Sequence, residues 1–339
     1  MLIGRLKFSV RRFIRVASSA AVLAFAFGCA VSQKTVVKPS QAPAPLQTAT
    51  KEQLVDSYNR QAQAIQSLNA GVSMKLTAGS AYSGVIEQYH EVNGFILAAR
   101  PASIRVIGQA PVVGKNIFDM VSDGSTFSIY IPSKNKFIVG PANLERHAEK
   151  PIENLRPQHL VDALFWPVIT EQAPVLFEQA SEGAARYYIL TVVRLRMPQS
   201  SAGSGDVGSS APEGQASSQR SPSEWEIARK IWFDRTDLRV SRIENFGSGG
   251  NVASDVAYTN WQATGATSYP WQVNVTRPGD DYQLQITIKK LTVNEPIAAD
   301  RFSLPQPPGT DLVNAGENTG DDVHKASGAN NKEPHPWRF

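Results

Sequence analysis

The stretch Ala102–Ile131 reads ASIRVIGQAPVVGKNIFDMVSDGSTFSIYI. It holds three strand-length runs, 102–109, 116–122 and 126–131. In the third, Phe127, Ile129 and Ile131 alternate with Thr126, Ser128 and Tyr130. Successive strand residues point to opposite faces, so this run turns one side to a core or cavity and the other to a more polar environment. Asp123-Gly124 marks a tight turn before it. The connection Gln109–Lys115 breaks the usual pattern, because turns are normally polar and this one places Val112 and Val113 between Pro111 and Gly114. Two readings fit: a loop folded back on the core, or a protruding apolar tip that touches a membrane or an acyl chain. Two valines contribute about 1.5–3 kcal/mol each on full burial, enough for transient membrane contact only.

Further strand-like runs lie on both sides. Upstream they cover 72–78, 84–92 and 94–99, with Asn93-Gly94 as a turn signal; downstream, 136–139 follows Pro132-Ser133. A second series covers 186–196, 225–234, 238–246, 252–262, 270–277 and 282–293. In the last of these Leu284, Ile286 and Ile288 alternate with polar neighbours. Two helices are expected. One begins at Thr50, where Thr50 and Gln53 form a capping-box pattern. Leu54, Tyr58, Ala62, Ile65 and Leu68 recur on one face, and Asn69-Ala70-Gly71 ends it. The other has Pro157 in its first turn and an apolar face of Leu160, Val161, Leu164 and Phe165, closed by Trp166-Pro167. The pattern predicts a mainly β, α+β fold: an incomplete antiparallel barrel, or strongly curved sheet, with helices on one side.

Residues 198–223 are different: nine Ser, four Gly and three Pro fill 16 of 26 positions. Such a segment buries too little apolar surface to offset its ordering entropy and reads as a disordered loop between strands. Residues 314–339 read as a disordered polar tail. The domain is expected over 51–313.

The N-terminus reads as an export signal over 1–28. Arg5, Lys7, Arg11, Arg12 and Arg15 precede the 12-residue apolar run Val16–Phe27. A membrane span needs about 20 residues. Ala26-Phe27-Gly28-Cys29 looks like the lipobox of bacterial lipoproteins, with Cys29 as the lipidated residue; the alternative is a plain secretory signal with a stray cysteine. By the same analogy, Ala30 in place of Asp directs the protein to the outer membrane, facing the periplasm. Residues 29–50, with Pro39, Pro43 and Pro45, then form a tether.

Charge and cysteine content exclude several classes. The formal net charge is +4. Five of the 34 Lys and Arg lie in 1–28 and no acid does, so the rest carries 29 bases against 30 acids. A nucleic-acid binder is expected to keep a basic face in its mature form. One cysteine excludes an internal disulfide framework and a cysteine-based zinc cluster. Gly203–Gly208 matches GxGxxG literally, but no helix opens from it. His90-Glu91 begins like a zincin motif, yet Gly94 stands where the second histidine belongs. His159 sits beside an apolar helix face and reads as a surface or packing residue. With no nucleophile–base pair and no metal spacing, the chain reads as a non-enzyme without metal or cofactor.

The run Ile104–Gly108 through Ala110-Pro111-Val112-Val113-Gly114 to Asp123-Gly124 resembles the lipoprotein-localisation factors LolA and LolB, and LolB more closely. Pro151-Ile152 to Leu155, Leu160 to Leu164 and Trp166-Pro167 look like the helix and proline exit that follow. Pro296-Ile297, Phe302-Ser303-Leu304-Pro305 and Pro307-Pro308-Gly309 resemble the closing segment of the wider group. The resemblance spans roughly 51–312. It implies a half-barrel with helices as a lid, whose interior takes the acyl chains of a lipoprotein (palmitate-like ligands), without covalent catalysis. It places Pro111, Val112 and Val113 at a membrane-insertion loop, and implies an outer-membrane lipoprotein that accepts cargo, with a periplasmic carrier protein as a possible partner. Phe127, Ile129, Ile131, Leu160 and Leu164 are the acyl-cavity candidates. A lipid sensor or a structural envelope lipoprotein on the same fold are the alternatives.

Overall fold

The computed structural model describes residues 45–80, 85–142, 154–196 and 224–315. Pro45 apart, these belong to the unit Leu46–Phe339. The export signal, Cys29, the insert 198–223, Pro151, Ile152 and residues 316–339 lie outside the described residues.

Helix α1 (Lys51–Ala64) opens the unit. Thr50 caps it: the Gln53 amide donates to Thr50 Oγ1 at 3.3 Å, and the Thr50 amide donates to Gln53 Oε1 at 2.9 Å. That reciprocal pair satisfies two donors that a helix start otherwise leaves open. Seven strands follow: β1 (Ser67–Ser80), β2 (Val85–Gln88), β3 (Val92–Ala99), β4 (Ser103–Gln109), β5 (Asn116–Ser122), β6 (Thr126–Ile131) and β7 (Lys136–Pro141). Helix α2 (Pro157–Leu164) precedes β8 (Val175–Glu182), β9 (Ala185–Arg196), β10 (Glu224–Asp234) and β11 (Val240–Phe246). Then come β12 (Val252–Thr264), β13 (Thr267–Arg277), β14 (Tyr282–Val293) and β15 (Asp311–Asn314).

All fifteen strands form one sheet, ordered β15-β7-β6-β5-β4-β3-β1-β14-β13-β12-β11-β10-β9-β8, with β2 also on β1. The sheet is unclosed, with β15 and β8 at its two ends. Only the β15–β7 pair is parallel among the described strands. The mainly β class with helices on one face is the one the sequence predicts. Strands β9 and β10 pair on either side of the Ser/Gly insert, with Arg196 opposite Glu224.

One sheet face carries the core. Leu68, Ala70, Val72 and Met74 of β1 share it with Ile96 and Ala98 of β3, Ile104 and Val106 of β4, and Leu284, Ile286 and Ile288 of β14. Helices α1 and α2 bury Leu54, Tyr58, Leu160 and Leu164 in the same cluster. The other face carries ion pairs set among apolar residues such as Leu97 and Val121. There Arg105 pairs bidentately with Asp119 at 3.0 and 2.7 Å, and Arg242 with Asp255 at 2.7 Å twice.

Four local expectations are corrected. Helix α1 ends at Ala64, and 67–71 belong to β1. Leu68 and Ala70 fit both a helical and an alternating pattern, and pairing with Val293 and Leu291 on one side and Ala98 and Ile96 on the other selects the strand. Asn294, at φ 61°, seals the junction: its side-chain amide donates to Ala64 O and its Oδ1 accepts from the Gln66 amide. The run 84–92 divides into β2 and the start of β3, both paired to β1. Asn93-Gly94 is no turn but part of β3. A Cβ on Gly94 would lie 2.1 Å from Ile107 O, so glycine here permits close strand approach. Finally, β8 and β15 were not foreseen. β8 has an edge position that imposes no alternation, and β15 is a four-residue strand added from a distant segment.

Candidate functional site

The β4–β5 connection is an outward tip. The Ala110 amide donates to Lys115 O at 2.9 Å and the Gly114 amide to Ala110 O at 3.0 Å, so the turn closes on its own backbone. Gly114 has φ +62°, a left-handed conformation that side chains resist. Pro111 is exposed, Val112 is 96% exposed and Val113 76%. Burial is the norm for valine, and two adjacent exposed valines on a self-closed turn depart from it.

The five interior candidates divide between β6 and α2, and of them Leu160, Leu164 and Ile129 join the core cluster. Phe127 lies in register with Ser122 and Ile104, and Ile129 with Met120 and Val106, on the core side. Phe127 is buried under the Arg156 guanidinium, 5.8 Å from its ring centre. Ile129 packs against the core, and Ile131 is half-buried. Leu160 and Leu164 of α2 are both buried in the core cluster.

A set of polar side chains holds α2 and its exit on the sheet. Tyr258 donates to Ala163 O at 2.9 Å and Tyr269 to Leu164 O at 3.0 Å. Arg100 donates to Trp166 O at 3.0 Å, and also to Ala62 O and Ile65 O at the end of α1. Tyr58 and Arg229 both donate to Pro167 O, at 3.0 and 3.1 Å. Asn59 donates to Ile169 O and accepts from the Ile169 amide. The last carbonyls of a helix lack partners within it; here Tyr258 of β12 and Tyr269 of β13 supply donors to Ala163 and Leu164, while α1, β10 and the β3–β4 connection hold the exit at Trp166, Pro167 and Ile169. Trp166, 5% exposed, stacks on Tyr58 at 5.5 Å and meets Tyr258 and Trp261 edge-on at 5.1 and 6.0 Å. Burial pushes the Tyr58, Tyr258 and Tyr269 hydroxyls upward, so they stay protonated donors.

The start of α2 is held differently. His159 Nδ1 lies 2.7 Å from the Tyr282 hydroxyl at the start of β14. Burial, reinforced by Arg277, lowers the His159 pKa to about 3, with Asp280 opposing. Beside Arg100, a small pocket with volume of about 10 Å³ is lined by Gln61, Ala62, Ile65, Leu164, Phe165 and Tyr269. That is room for roughly one water molecule.

Sequence reasoning missed Arg100, Asn59, Arg229, Tyr258 and Tyr269 as site residues. The available signal was polar-tipped side chains within or at the ends of apolar runs, where a buried hydroxyl or guanidinium needs a partner.

No protein-family model and no curated protein matches the sequence. Among solved structures, the chain is similar to a LolA superfamily protein from Nitrosomonas europaea, at 10% identity and TM-score 0.42, over 76% of this chain and 99% of that one. A DUF1329 family protein from Desulfovibrio piger is similar at 10% identity and TM-score 0.43, over 76% and 98%.

Proposed function

We propose that this chain is a LolB-like lipoprotein, anchored in the outer membrane through Cys29 and facing the periplasm. It binds acyl chains between the sheet and its two helices and passes lipoproteins or related lipids to the membrane without covalent chemistry. The observation that carries this reading is the Val112–Val113 tip, closed by its own backbone hydrogen bonds and exposed at 96% and 76%. It is the element that would enter the acyl region of a bilayer and bring the interior close to it.

The interior opens only if α2 and its exit lift from the sheet. Hydrogen bonds from Tyr58, Asn59, Arg100, Arg229, Tyr258 and Tyr269 resist that motion. At a net of about 1 kcal/mol each, their release costs about 6 kcal/mol. Lifting also exposes the apolar face of α2 and Trp166, and methylenes of an acyl chain, at about 0.8 kcal/mol each, would take the place of that buried surface. Arg100 is placed to couple the helices, because its guanidinium donates to both α1 and the exit of α2.

The test is native mass spectrometry of the unlipidated protein beginning at Ala30, purified gently from a Gram-negative host. An adduct with the mass of a fatty acid, phospholipid or acylated peptide is expected, with transfer to vesicles slowed by Val113→Asp. A bare protein that also refuses added acyl probes would overturn the carrier reading.

A further inference from the structure

The two ends of the sheet are not alike. β15 is four residues long, whereas β8 presents eight residues, Val175-Leu-Phe-Glu-Gln-Ala-Ser-Glu182. Natural sheets shield such edges with proline, lysine, bulges or short strands, and β8 contains no proline, lysine or arginine. Its register with β9 runs unbroken from Val175–Val192 to Glu182–Ala185.

The hydrogen-bond phase follows from that register. The Val193 amide donates to Pro174 O at 3.1 Å. In an antiparallel pair, residues opposite one another alternate between bonded and non-bonded, so the even residues of β8 turn their backbone groups to β9. The amides and carbonyls of Val175, Phe177, Gln179 and Ser181 then point away from the sheet. Apolar side chains stand on both faces of this edge: Leu176, 59% exposed, beside Thr191, and Phe177, 38% exposed, against Tyr188 at 5.2 Å.

Charge decides what fits. Glu178 and Glu182 are exposed on one face of β8. A second copy of β8 added antiparallel, with outward backbone groups paired, would put two carboxylates from each strand on one face, and like charges across a ladder destabilise it. We propose that β8 is a docking edge for an extended strand of another protein, one that alternates apolar and basic residues. Backbone bonds at 175, 177, 179 and 181 supply affinity, and Glu178 and Glu182 select Lys or Arg. This surface is independent of the acyl interior.

The probe is an end-blocked eight-residue peptide of alternating valine and lysine, added to the full chain. Binding is expected, with slowed amide exchange at Val175, Phe177, Gln179 and Ser181. Gln179→Pro removes an outward amide without touching the β9 ladder, so the circular dichroism should hold while affinity falls at least tenfold. Glu178→Lys with Glu182→Lys should transfer preference to a valine–glutamate peptide. Equal binding by Gln179→Pro, or no preference between the two peptides, would overturn the proposal. So would a concentration-dependent dimer lost in Gln179→Pro, which assigns the edge to a second copy.

Discussion

The Pro111–Gly114 tip and the Trp166–Pro167 exit of α2 are both short apolar connections containing a proline, and they have opposite fates. The first is exposed throughout, whereas the second buries its Trp166 ring and leaves Pro167 at the surface. Apolar content does not separate them, since tryptophan and valine both favour burial. Backbone bonding does. The tip closes Ala110, Gly114 and Lys115 on one another and needs no outside partner. The exit leaves the carbonyls of Trp166, Pro167 and Ile169 to Arg100, Tyr58, Arg229 and Asn59. An apolar loop stands out when its own turn satisfies it, and lies down when distant donors must.

Removing the buried side should have the largest effect. Trp166→Ala deletes the ring stacked on Tyr58 and is expected to cost about 3–5 kcal/mol in urea unfolding. Acid attacks the same helix from its other end. His159 is depressed to about 3 in the folded chain, so the unfolded chain binds the extra proton first. Stability is complete above the ordinary histidine pKa near 6.5 and is lost as pH falls from there toward 3, by at most about 1.4 kcal/mol per pH unit. A pH series of melting curves should show that slope, and His159→Gln should flatten it.

Arg100→Ala should come next, at about 2–3 kcal/mol, because buried carbonyls lose a charged donor. Because Arg100 couples α1 to the exit of α2 in the proposed opening, this variant should also take up an acyl probe faster, which a purely structural loss would not produce. Tyr269→Phe removes one hydroxyl from Leu164 O and should cost about 1–2 kcal/mol. Val113→Asp closes the series: stability should shift by less than about 0.5 kcal/mol, while vesicle association weakens severalfold. A large stability loss there would show that the tip is part of the core and erase the contrast.

Much of the sheet was legible. Alternation located β4, β5, β6 and β14, the capping box located the start of α1, and Pro157 with Trp166-Pro167 bracketed α2, all because these signals depend on neighbours within a few positions. The end of α1 was not legible, since Leu68 satisfies two periods and only β14 and β3 choose between them. Nor was Gly94, whose reason is the Ile107 carbonyl on another strand.

By itself the sequence determined the mainly β class, the alternation of β4, β5, β6 and β14 and the two helix starts, because each is settled by local spacing and backbone geometry. Only the tertiary structure decided that Arg100 bridges α1 to the exit of α2, that Tyr258 and Tyr269 cap α2, and that β8 ends the sheet. Those outcomes depend on donors, acceptors and strand partners brought together from remote parts of the chain, and no local period encodes which distant group will be there.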